Sequence, residues 1–265
     1  MSLTLVTGAD SLIGAHLARA LLDRGERVRL LIGDQRAQPV LDEFGLAGEA
    51  EALTGRPRDE RTVRRALRGV TTLYHVPEAA PWRSGWQRLH DTHVRAAEVV
   101  LGAALAARIE RVVHTSSAVS LGPAPAGSTA DETQPFSARH GLAVVAATHG
   151  GERVALKCRE QGLPVVLALP GLVFGAGDHA GGSTEVVRRF MLRQIPFTIP
   201  GAVSIVGARD VAHGLILCAE RGREGERYLL GGRNFTTDRL YADLARLTDV
   251  APPALRLSLP AALAL

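Results

Sequence analysis

Lysine is almost absent from this chain: Lys157 stands alone among 31 basic residues, so chemistry that needs a primary amine has one candidate. Tyrosine is nearly as scarce, and none of Tyr74, Tyr228 and Tyr241 precedes a lysine by four residues. The two cysteines, Cys158 and Cys218, lie far apart in helical apolar patterns, which excludes a disulfide framework and suits a reducing compartment. Aromatics make up only 4% of residues, whereas Ala, Gly, Leu and Val abound, a composition for helices packed closely on a sheet rather than for a β-sandwich. No apolar run reaches the roughly 18 residues of a membrane span, and no basic-then-apolar leader precedes the strand that begins at residue 3. A cytoplasmic protein without membrane contact is expected. No histidine pair has ligand spacing beside a third carboxylate or thiol, so no metal centre is expected either.

What is present is a chain of 265 residues, 46% apolar, enough for one sizeable core. Its net charge is +4, but the basic residues fall singly or in pairs along helical faces such as "RTVRRALR" and "VVRRF". Solvated helix faces account for them, and a nucleic-acid partner is not implied.

Apolar runs alternate with helical patterns from the start. "LTLVT", "RVRLLI", "EAEALT", "TTLYHV", "ERVVHTSS" and "LPVVLALP" read as strands, with helices over 12–24, 59–68, 84–107 and 141–161. Such alternation with short connections predicts an α/β fold, a doubly wound parallel sheet with right-handed crossovers. After residue 170 the regularity breaks into Gly/Pro-rich segments and shorter helices near 183–193, 209–220 and 237–247. The organisation expected is a dinucleotide-binding core over 1–170 and a small substrate-side subdomain over 171–265, interleaved with the core.

"LTLVTGADSLIGAHLARALLDRG" reads as strand, tight turn and amphipathic helix. Gly8 permits the turn, and Gly14 lets the helix approach the strand. The free N–H groups at the helix start then face a position where the dipole favours a pyrophosphate. The competing reading is a plain strand-helix turn with glycine at its bend.

Four segments carry a family likeness: "TGADSLIG" for TGxxGxxG, "LTGRPRDERTVRRALRGVTTLYHV", "IERVVHTSS", and "GLPVVLALPGLVFGAGD". With them the chain resembles the extended branch of the short-chain dehydrogenase/reductase family, the epimerase, dehydratase and dihydroflavonol-reductase-like group. The resemblance implies a Rossmann fold that binds a nicotinamide dinucleotide through Gly8, Asp10, Ser11, Leu12, Ile13 and Gly14. Further cofactor contacts are implied at Arg56, Pro57, His75, Val76, Thr115, Pro170, Gly171, Leu172 and Val173. Ser11 replaces the second loop glycine, and its hydroxyl could donate to a phosphate oxygen. Arg56-Pro57 replaces an Asp-apolar pair at the adenine. Ile32 and Gly33 stand where relatives place an acid for the ribose or an arginine for a 2′-phosphate; Asp34 and Arg36 lie just beyond, and Arg36 inclines the expectation toward NADP, with NAD also possible.

In that family a Tyr four residues before a Lys supplies and tunes the proton, and a Ser polarises the carbonyl. Ser117 matches the serine, although a Ser at a strand end also serves to cap a turn. In "VVAATHGGERVALK" the Tyr and Lys positions hold Val144 and Thr148. His93 falls at the family Asn, in line with Leu89, Ala97 and Val100; it is either a catalytic imidazole or a core histidine. His140, His149 and His179 are weaker candidates. Three functions remain open: an atypical NAD(P)H-dependent ketoreductase of a small-molecule ketone, as in family members that act on aromatic polyketides; a non-redox cyclase or dehydratase; and a dinucleotide-binding sensor or scaffold. A monomer or homodimer is expected. The chain stops where longer relatives begin a final helical region, so a smaller subdomain and a more open pocket are expected.

Overall fold

The computed structural model describes the chain apart from residues 1, 34–36, 79–83, 126, 137–141, 180, 259–260 and 263–265. Asp34, Arg36 and His140 therefore lie outside the described residues. In chain order the first half comprises β1 (Leu3–Thr7), α1 (Leu12–Asp23), β2 (Arg27–Ile32), α2 (Gln38–Glu43), β3 (Glu51–Thr54), α3 (Glu60–Ala66), β4 (Thr72–His75), α4 (Trp86–His90), α5 (Ala96–Ala106) and β5 (Arg111–Thr115). There follow α6 (Ala143–Glu160), β6 (Val165–Pro170), β7 (Leu172–Phe174), α7 (Glu185–Met191), β8 (Phe197–Thr198), β9 (Ala202–Gly207), α8 (Ala208–Arg221), β10 (Arg227–Leu230), β11 (Arg233–Thr236), α9 (Thr237–Thr248) and β12 (Leu255–Arg256).

Seven strands form one parallel sheet in the order β10-β6-β5-β4-β1-β2-β3. The order reverses between β1 and β4, the crevice where such sheets take their ligands. Period-2 alternation sends Val6, Tyr74, Val113 and Val166 to one face under α1 and α8, and Leu5, Leu73, Val112 and Leu167 to the other under α3, α5 and α6. Both faces are covered, which is why these strands read as continuous apolar runs. Helix α1 buries Gly14, Ala15, Leu17, Ala18 and Leu21, one face at helical spacing. Each leucine so buried contributes about 1.5–3 kcal/mol. Both cysteines are free and buried.

The expected helix over 84–107 forms, but a π-helical turn over Asp91–Arg95 joins α4 to α5. Short α2 was not foreseen from the sequence. Past residue 170 the chain does two things. It adds β10 to the main sheet through α8, and it builds a three-stranded sheet, β11-β9-β7, whose small core joins Phe190, Leu240 and Leu244 to Phe174, Ile205 and Phe235. Among the described residues no helix is long and apolar enough to cross a membrane.

Candidate active site

At the carboxyl end of β1, Gly8 turns the chain with φ of 60°, a conformation that favours glycine. A Cβ on Gly8 would stand 2.4 Å from the Val76 carbonyl oxygen, and one on Gly14 only 2.1 Å from the Gly8 carbonyl oxygen. Both glycines are thus required by close packing, of the turn against the end of β4 and of α1 against the turn, the packing that glycines give a dinucleotide-type βα turn. Ser11 caps α1: its hydroxyl donates to the Gly8 carbonyl at 2.7 Å and accepts from the Gly14 N–H at 3.2 Å. Its side chain is buried, so it shapes the loop, and the hydroxyl's donor, expected for a phosphate oxygen, is already engaged. The N–H groups of Leu12 and Ile13, in the first helical turn, have no intrahelical acceptor and head the helix dipole.

On the far side of the turn, Asp10 Oδ2 accepts from the Gly33 N–H at 3.3 Å, and Pro57 is buried while Arg56 beside it is exposed. Arg58 pairs with Asp91 at 2.6 Å. Glu78, two residues beyond Val76, reaches the same end, and its carboxyl is raised above the usual range by burial and by the neighbouring Asp10. Sequence reasoning passed over Glu78; only the fold brings a residue after β4 to the end of β2.

Register sets Thr7, His75 and His114 side by side on adjacent strands, all on the face covered by α5 and α6. Thr7 Oγ1 donates to the Val76 carbonyl at 3.1 Å, which leaves it to accept from His75 Nδ1 at 2.8 Å. The His75 and His114 rings stack at 5.3 Å, with His75 Nε2 and His114 Nδ1 buried and without hydrogen-bond partners among the described residues. Burial pushes the imidazoles down: His75 well below its ordinary value, His114 to about 3 and His93 to about 4. His93, in the π turn, is thus neutral near pH 7 and has no proton to give as an imidazolium. Its carbonyl lies against Gly151, where a Cβ would come within 2.6 Å.

Adjacent serines at the end of β5 face different ways. Ser116 donates to Glu152 Oε1 at 2.5 Å, and Arg227 of β10 lies 3.3 Å from Glu152 Oε2, which ties the fully buried Glu152 to both neighbours. Ser117 is half-buried, caps a 3-10 turn and accepts from the Val119 N–H at 3.4 Å. The structure shows the cap; a hydroxyl that accepts from the turn keeps its proton for another acceptor, so the cap is compatible with the second reading. On α6, Thr148 is buried and donates to the Val144 carbonyl at 2.8 Å, so its hydroxyl is absorbed by its own helix. His149 stacks on Phe136 at 3.6 Å, while His179 pairs with Glu43 of α2, away from this corner. Tyr74 is buried in the sheet core, Tyr228 accepts from the Arg223 N–H, Tyr241 stacks on Phe190, and Lys157 is exposed in the last turn of α6.

At the carboxyl end of β6, Pro170 and Val173 are buried, and Gly171 passes so close to β9 that a Cβ would meet the Ser204 carbonyl oxygen at 2.7 Å. Leu172 pairs with Ile205, and Thr115 Oγ1 is buried with no partner. Among the described residues no group of His, Cys, Asp and Glu is arranged to hold a metal ion.

The family model described as the NAD dependent epimerase/dehydratase family matches residues 4–231. The chain is 34% identical to "Sterol demethylase protein B" of Methylococcus capsulatus, over 97% of its own length and 77% of that protein. It is 28% identical to the "4-hydroxy-2-methyl-3-oxo-4-farnesyl-3,4-dihydroquinoline-1-oxide ketoreductase" of Stigmatella aurantiaca, over 86% of the chain and 67% of that protein. Among solved structures, a nucleoside-diphosphate-sugar epimerase from Pseudomonas aeruginosa superposes with a TM-score of 0.85 at 26% identity, covering 99% of this chain and 82% of that one.

Proposed function

Because the chain belongs to the NAD dependent epimerase/dehydratase family, we propose that it is an NAD(P)H-dependent ketoreductase that acts on an apolar small-molecule ketone without a Tyr/Lys pair. The observation that carries this reading is Ser117: its hydroxyl stands at the end of β5 with its acceptor side held by the Val119 N–H and its proton available for a carbonyl oxygen. The cradle of Gly8, Ser11 and Gly14, with the N–H groups of Leu12 and Ile13, would hold the pyrophosphate, and Thr115 and residues 170–173 would line the nicotinamide side. Bound nicotinamide supplies the hydride. Ser117 orients and polarises the carbonyl, while half-buried Val144, at the position of the family tyrosine, leaves an apolar wall there. A missing general acid costs about 10²–10⁴-fold. With the His93 imidazole neutral, the proton comes from water or from a hydroxyl of the substrate beside its ketone.

The approach to Ser117 favours an apolar substrate. Exposed Val119 lies two residues past Ser117, and exposed Trp86 and Leu142 stand at the starts of α4 and α6, both of which begin at the carboxyl end of the sheet. Exposed large apolar side chains on the rim of a crevice fit a flat or chain-bearing lipophilic ketone. A farnesyl-bearing quinoline oxide, as in the name of the Stigmatella relative, and an aromatic polyketide both belong to that class. The segment past residue 170, with β7, β9 and β11, forms the substrate side.

Thermal unfolding with NADH, NADPH, NAD⁺ and NADP⁺, followed by nicotinamide oxidation with polycyclic and prenylated hydroxyketones, tests this. A dinucleotide at 100 times its Kd stabilises by about 2.7 kcal/mol. If no dinucleotide shifts the transition, reduction is ruled out; a shift with no turnover of any ketone replaces the ketoreductase with a dinucleotide-binding sensor.

A further inference from the structure

Dinucleotide folds place an acid at the end of the second strand, where it accepts from the adenosine ribose hydroxyls. Here Ile32 and Gly33 stand at that end, and the space beside Gly33 is lined by acids from other segments. A Cβ on Gly33 would stand 3.3 Å from Glu78 Oε1 and 3.4 Å from Asp10 Oδ2. Asp10 belongs to the cradle turn and accepts from the Gly33 N–H, whereas Glu78 arrives from the segment after β4. Two carboxylates from different loops therefore meet beside Gly33 at the end of β2.

We infer that Glu78, with Asp10 beside it, serves as the ribose acid of this fold: it accepts from the ribose 2′- and 3′-hydroxyls and selects NAD(H) against NADP(H). This rests on the dinucleotide reading of the cradle, which stands on the Gly8 and Gly14 geometry and not on the acids. The chemistry is direct. A ribose diol offers donors to a carboxylate, whereas a 2′-phosphate would bring a second anion against the same oxygens, in a half-buried place where charges are poorly screened. The raised Glu78 carboxyl agrees with an acid crowded by Asp10 and partly withdrawn from water. Of the cations around Glu78, namely Arg58, Arg56 and Arg88, the first is engaged by Asp91 and Arg56 is exposed. Arg36, the ground for expecting NADP, lies outside the described residues.

The test uses ADP-ribose and its 2′-phosphate as probes, titrated calorimetrically into the full chain at fixed ionic strength, so that neither ketone nor turnover enters. Wild type should bind ADP-ribose at least about tenfold tighter, a difference of about 1.4 kcal/mol. Glu78→Gln keeps the shape and removes the charge, and should bring the ratio within about threefold, mostly by tightening the 2′-phosphate. Asp10→Asn should narrow it less. Equal or tighter binding of the 2′-phosphate by wild type overturns the inference in favour of Arg36 or Arg56. So does an unchanged ratio in a Glu78→Gln protein whose circular dichroism matches wild type; should that variant not fold, the wild-type ratio decides alone. If neither probe binds, the dinucleotide reading fails together with this one, whereas binding of both without discrimination removes only the role of Glu78.

Discussion

At the turn after β1 a Cβ on Gly14 would stand 2.1 Å from the Gly8 carbonyl, so the backbone itself fixes what may occupy the position. On α6, by contrast, the Val144 and Thr148 side chains impose no such limit on the backbone, and the Thr148 hydroxyl folds back onto the Val144 carbonyl.

 Binding and catalysis thus make different demands on this fold. A phosphate cradle is read from main-chain groups, and a serine at position 11 is admitted because its hydroxyl caps α1 from within the turn. An acid-base pair is read from side-chain tips, which a helix can lose without cost to its own structure. Under the proposed function the fold retains its cofactor end while its proton chemistry is rebuilt.

The largest effect that would break this contrast lies in the cradle. Gly14→Val forces α1 away from β1, against overpacking costs of about 1–3 kcal/mol or more, and should lower dinucleotide affinity at least about 100-fold, or about 2.7 kcal/mol. Calorimetric titration reads it directly. A variant that binds as wild type would show that the turn is not where the dinucleotide sits.

The second effect belongs to the polar row behind the catalytic corner. His75, His93 and His114 are held neutral by burial, the last two with values pushed to about 4 and about 3. Below their ordinary value of 6.5 the unfolded chain takes up protons that the folded chain refuses, so stability is full above that value and falls as the pH drops toward 4 and 3. At pH 5, His93 and His114 should each cost about 2 kcal/mol relative to pH 7, roughly 4 kcal/mol together. Urea unfolding at the two pH values measures it, with His75 adding in the same direction, and replacement of His114 by Gln should reduce the difference by about 2 kcal/mol. Equal stability at pH 5 and pH 7 would mean that these rings are solvated, and with them the argument for a neutral His93 would go.

The two regions also differ in how far the sequence reveals them. Glycines 8 and 14, the alternation of apolar runs and the match of "HTSS" to a strand end foretell the sheet, the tight turn after β1 and the place of Ser117 at the end of β5, because each depends on local backbone rules. The π turn at Asp91–Arg95, which carries His93, leaves no such mark. The short strands β7, β9 and β11 hide among Gly and Pro residues because they are made by pairing with distant partners and not by their own periodicity. Glu78 is the sharpest case: nothing in "HVPE" announces that its carboxylate reaches Gly33, since that meeting depends on β4 and β2 flanking β1. The partnership of Ser116 with Glu152 and Arg227 joins three segments in the same manner.

The smallest effect sharpens the comparison most, because it separates polarising a carbonyl from protonating it. Ser117→Ala removes one oriented donor and should lower kcat/KM by about 10- to 100-fold, or about 1.4–2.7 kcal/mol. The fold should barely notice, since the turn loses only the 3.4 Å acceptor at Val119. His93→Gln should leave kcat/KM within about threefold, because a ring neutral down to about pH 4 is not an acid at pH 7. The pH profile distinguishes the sources of the proton. If water or a substrate hydroxyl supplies it, kcat/KM for a hydroxyketone should show no inflection near the ordinary histidine value, and a ketone lacking the neighbouring hydroxyl should react more slowly only where that hydroxyl is the acid. An inflection near pH 6.5 that disappears in His93→Gln would restore imidazole as the donor, and the catalytic corner would then have exchanged one acid for another rather than given its task to the substrate.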